Sequence, residues 1–176
     1  MTRSAIRVGL LTVALAARAR AGESATLRAA DSGVSPEFCP TLRALLDAAP
    51  GGFASVRGTS RTGGENTSEG TKRFASDNEC TVFGGTPPAY VCTLYAGDVE
   101  ENADGSYDRA VSGVKDCLSA SWKTAEKVDG VHTRTTTADG GSGPRVRVVS
   151  RDVSGDAYVV ELWIDAGPAS GGKGNR

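Results

Sequence analysis

The chain is poor in the residues from which metal and catalytic centres are usually built. It has one histidine, His132, and four cysteines among 176 residues. A single imidazole cannot supply the two or three nitrogen ligands of a catalytic zinc, and no C-x-x-C pair is present to begin a structural zinc site. No G-x-S-x-G elbow accompanies His132, so a serine triad lacks its nucleophile turn. The glycine-rich stretches at 84–85 and 140–143 precede no lysine and open no helix, which removes a phosphate loop. Aromatic residues make up 6% of the chain, and no aromatic-lined cleft of the kind a glycosidase uses can be discerned. The longest apolar run, 8–17, is about ten residues where a membrane-spanning helix needs roughly twenty. No metal, no cofactor and no stable membrane anchor is therefore expected.

That short apolar run lies between Arg3 and Arg7 on one side and Ala19-Arg20-Ala21 on the other. Residues 1–21 thus read as a bacterial-type export signal cleaved after Ala21, and the protein is expected in the periplasm or outside the cell. Of the 20 basic residues the leader holds four, which leaves 16 against 21 acidic ones and a net charge of −5 for the remaining 155 residues. Nucleic-acid binding, which needs a clustered basic surface, is not expected from that balance. The length suits one domain with one core. An even number of cysteines in an exported chain points to two disulfides.

Residues 22–34 are small and polar and read as a flexible lead-in to a single domain over 35–166; the Gly- and Ser-rich stretch 167–176 reads as a disordered tail. Leu42, Leu45, Leu46 and Ala49 follow helical spacing, which predicts a helix from Pro40 to the Pro50-Gly51-Gly52 stop. A first strand is expected at 53–57, then a mobile connection or loose hairpin over 58–71. Residues 80–83 and 89–95 flank the turn-rich 84–88 and predict a β-hairpin. Folding it about Thr86 sets Cys80 opposite Cys92, close enough for a disulfide. An acidic linker over 97–106 leads to a second helix capped by Ser106, whose apolar face runs through Tyr107, Ala110, Val114 and Cys117 to Trp122. Cys117 on that face and Cys39 at the mouth of the first helix form the second expected bridge. Further strands are expected at 131–137, 145–150 and 157–164.

This order implies an α+β two-layer sandwich, an antiparallel sheet with two helices packed on one face. Strand alternation puts Phe83, Val91, Tyr95 and Trp163 with Arg145, Arg147 and Glu161 on the opposite, open face. Aromatic and arginine side chains are enriched at protein interfaces, so these residues are the candidate binding face for a protein partner. The resulting expectation is a non-enzymatic binding or accessory module, inhibitor-like in character. The alternatives are a small secreted hydrolase using Asp98, Glu100, Glu101 and Asp104 of the acidic linker, or a structural envelope component. Residues 102–108 alternate oxygen ligands as calcium loops do, but lack the glycine and the closing glutamate, and read as a helix-capping turn.

Overall fold

The computed structural model describes residues 34–61, 66–129, 133–154 and 157–167. The expected leader, all of the lead-in except Val34, the tail beyond Gly167 and His132 lie outside them. The described residues form an eight-stranded antiparallel sheet with two helices on one face and two disulfides, an α+β sandwich. The elements are α1 (Phe38–Ala48), β1 (Arg57–Ser60), β2 (Thr67–Gly70), β3 (Glu79–Phe83), β4 (Ala89–Gly97), α2 (Glu100–Cys117), β5 (Lys123–Asp129), β6 (Thr133–Asp139), β7 (Arg145–Asp152) and β8 (Tyr158–Asp165). The sheet order is β1-β2-β3-β4-β8-β7-β6-β5. Helix α2 carries the chain from the middle of the sheet to its far edge, and three antiparallel connections bring it back until β8 closes on β4.

The core is two adjacent cross-strand rows under the helices. Val82, Tyr90, Ile164, Val146 and Ala138 lie side by side, and Cys80, Cys92, Leu162, Val148 and Thr136 form the next row. All ten are buried. Against them α2 places Ala103, Tyr107, Ala110, Val114 and Cys117, and α1 adds Phe38, Leu42, Leu45 and Ala48. Each fully buried Val, Leu or Ile is worth roughly 1.5–3 kcal/mol by transfer, so these rows dominate stability. Tyr107 enters the core with its hydroxyl satisfied, 2.7 Å from Thr136 Oγ1. Tyr90 donates to the Lys72 carbonyl at 2.6 Å.

Both expected disulfides are present. Cys80 stands directly opposite Cys92 with Cα atoms 4.1 Å apart, and Cys39 bridges α1 to Cys117 at the end of α2 with Cα atoms 5.2 Å apart. Such bonds persist in oxidising compartments. Among the described residues no helix is long and apolar enough to cross a membrane.

Several boundaries differ from expectation. Helix α1 begins two residues before Pro40, because a proline in the first turn occupies a position whose N–H has no intrahelical acceptor. The strand expected at 53–57 is a 3-10 turn over Ala54–Val56, followed by β1. Its cause is Phe53, which adopts φ 64° and is completely buried against Tyr90, ring centroids 5.6 Å apart. The connection over 58–71 contains the β1–β2 hairpin. Helix α2 starts at Glu100 rather than Ser106, with Glu100 and Glu101 in its first turn, where carboxylates favour the helix dipole. The residues that read as an acidic linker and calcium-like turn are therefore largely helical. Strand β5 was not anticipated; β6 runs later than 131–137, and Val131 falls outside the described residues.

Candidate functional site

The sheet face opposite the helices has no described element over it. Parallel rows cross it, each read from the pairing register, and three of them hold the aromatic pair and its nearest charges. The first runs Thr67, Phe83, Ala89, Asp165, Arg145, Asp139, Lys123. The second runs Glu69, Thr81, Val91, Trp163, Arg147, Thr137, Ala125. The third runs Glu79, Thr93, Glu161, Val149, Thr135, Lys127.

Toward the loop end of this face the side chains lock into one assembly. The Phe83 and Trp163 rings are stacked, centroids 6.1 Å apart and planes 7° from parallel, above β4. The Arg147 guanidinium also lies over the indole, 5.0 Å from the ring centre. Arg147 also binds Asp165 with two parallel hydrogen bonds, 2.9 and 3.0 Å, a fork geometry that fixes its plane. The indole Nε1 donates to Glu161 at 3.0 Å, and Arg151 donates to the same carboxylate at 3.2 Å. Arg145 pairs with Asp139 at 3.2 Å. The backbone N–H of Gly141 holds the exposed Asp139 carboxyl below the ordinary carboxylate range, Arg145 adding to the effect.

Phe83, Val91, Trp163, Arg145 and Arg147 thus come together as expected, but in different states. Phe83 is 39% exposed, whereas Val91 is 6% exposed and forms the floor of the site. Tyr95 is not on this face. An irregularity between Thr93 and Tyr95 sets Tyr95 opposite Val160, a core residue, and so turns its ring to the helix side. There its hydroxyl donates to the Val99 carbonyl at 3.1 Å, just ahead of α2. A bulge inserts one residue and reverses every side chain beyond it, which simple alternation misses. Asp165 was not singled out from sequence, although it follows Trp163 by two positions and shares its face.

The carboxylates considered for hydrolysis are engaged separately. Asp104 lies with Asp108 and Glu126 around Arg134, at 3.4, 3.3 and 3.3 Å, and that guanidinium rests 4.3 Å from the centre of the Tyr107 ring. Glu100 accepts from the Tyr158 hydroxyl at 3.4 Å. Among the described residues no cluster of three metal-ligating side chains is found.

Two concavities lie away from the open face. One of about 550 Å³ at the loop end of the sheet is walled by Pro50, Pro87, Pro88 and Pro144 with small residues and has no charged side chain in its lining. A smaller one of about 180 Å³ lies between α1, the segment before β3, and α2. No family model, curated protein or solved structure matches this chain.

Proposed function

We propose that this protein is a non-enzymatic exported binding module that holds a protein partner on its open sheet face, centred on Phe83 and Trp163. The observation that carries this reading is a large aromatic residue, Phe83, standing 39% exposed at the loop end of β3 on a disulfide-braced sheet face with no described cover. A surface aromatic beside a fixed arginine is the combination that interface hot spots favour. Rigidity favours it too, since a preorganised surface loses little freedom on association. Phe83 stacks in an offset fashion on the Trp163 indole, and the Arg147 guanidinium also lies over that ring. The face therefore offers aromatic surface among paired charges, a combination that suits a polypeptide surface.

Export fits the same reading. The segment 1–21 acts as a bacterial secretory signal, and the bridged domain is released into the periplasm or beyond it. The test is co-purification from the exported fraction with tagged wild type and tagged Phe83→Asp, each checked for an unchanged melting transition. The expected result is one protein of discrete mass recovered in stoichiometric amount by wild type and lost with the variant. Equal recovery by both would overturn the assignment of the face.

A further inference from the structure

On the helix side of the molecule, the pocket of about 180 Å³ joins an apolar wall to unused polar groups. Its wall is made by Phe38 and Phe74, whose rings meet at 4.7 Å, with Leu94 and Ala110. Leu94 continues the helix-side alternation of Tyr90 and Cys92, and the β4 irregularity leaves it out of the ladder pairing.

The polar groups are Asn78 and Arg109. Asn78 is 7% exposed, and its backbone N–H is bonded to the Ala75 carbonyl. Its carboxamide has no hydrogen-bond partner among the described residues, while no fully enclosed side-chain polar atom there is left unpaired. The carboxamide therefore opens onto the cavity that Asn78 lines. That amide is reached by solvent from the pocket, so an incoming group can take its hydrogen bonds in place of water. Arg109, one helical turn from Ser106 on the same face of α2, lines the same pocket and pairs with no acid among the described residues. Most of the arginines on the open face, by contrast, are tied to a carboxylate.

We infer that this pocket binds a small organic carboxylate with a short apolar body. The carboxylate pairs with the Arg109 guanidinium and accepts from the Asn78 amide, and the apolar body rests on Phe38 and Phe74. A guanidinium fork matches a carboxylate with two parallel bonds, and the Asn78 amide supplies a further donor. The site is independent of the open face and stands whether or not a protein partner is found there.

Phenylacetate is the probe, with phenylacetamide as its uncharged counterpart. Titrations of the full-length exported protein are followed by amide NMR shifts and calorimetry. Phenylacetate is expected to bind at least tenfold more tightly than phenylacetamide and to shift the amides of Phe74, Leu94 and Ala110. Asn78→Asp, which keeps the shape of the side chain and reverses its effect on an anion, should abolish phenylacetate binding. Arg109→Gln, an exposed change, should remove the preference for the acid over the amide. Absence of binding to wild type at millimolar phenylacetate, or equal binding by wild type and Arg109→Gln, would overturn the assignment.

Discussion

Phe83 and Trp163 stack across the strand between them, with ring centroids 6.1 Å apart and planes 7° from parallel. The pair brings two large side chains together from strands that are not neighbours, with the buried Ala89 and Val91 of β4 lying between. It is therefore both a clasp across β3, β4 and β8 and the centre of the candidate binding face.

The clasp has a measurable strength. A double-mutant cycle between Phe83→Ala and Trp163→Ala should return a coupling of about 0.5–1.5 kcal/mol, the range for aromatic pairs. Chemical denaturation of the four proteins supplies it. A coupling indistinguishable from zero would mean that the rings are neighbours without holding each other.

The two disulfides should differ in what they contribute. Cys39–Cys117 spans 78 positions and Cys80–Cys92 spans 12. On the chain-entropy estimate these restrict the unfolded chain by about 4–5 and about 3 kcal/mol respectively. Replacing each pair by alanine and measuring urea unfolding should show the larger loss for the first pair. A larger loss for Cys80→Ala with Cys92→Ala would place the main contribution in core packing instead.

High pH should unfold the protein through two phenols. Burial raises the Tyr90 and Tyr107 hydroxyls above the ordinary value of 10.0, with their hydrogen bonds to Lys72 and Thr136 pulling the other way. A raised value in the fold means that the protonated form is favoured there. The contribution is full below pH 10.0 and is lost as pH rises through the raised folded values. Stability measured from pH 8 upward should fall once pH passes 10, and Tyr107→Phe should flatten that fall. An unchanged slope in the variant would contradict the assignment.

Tyr95 separates the two faces experimentally. Tyr95→Phe removes its bonds to Val99 and should cost about 1 kcal/mol in a thermal or chemical melt. Because the ring lies on the helix side, recovery of a partner by the open face should stay at the wild-type level. Loss of recovery with an intact fold would show that the partner reaches the helix side.

The parts of this structure that were legible in the sequence are those where burial imposes a period. The β3–β4 hairpin alternates around an obvious turn, and its register alone sets Cys80 against Cys92. Strand β8 alternates equally clearly, which placed Trp163 opposite the core. Where burial imposes no period the reading failed. All seven residues of β5 are exposed, so Lys123 to Asp129 carry a strand without a pattern. The start of α2 carries no side-chain cap at Val99, while Ser106, a better capping residue, lies inside the helix. Phe53 looks like a strand residue by composition, yet its backbone takes a left-handed turn so that its ring can reach the core. Tyr95 was misplaced by one inserted residue. The pocket of Asn78 and Arg109 had no sequence signal, because its wall is gathered from a loop, two helices and one strand that are distant in the chain.

The most direct test of the binding face is site-specific photocrosslinking in the exported compartment. A benzophenone side chain is placed at Phe83, and for comparison at Lys115, an exposed residue of α2. One protein adduct of discrete mass is expected from position 83 and none of that mass from position 115. The same adducts from both positions, or none from position 83 with the protein folded and exported, would contradict it.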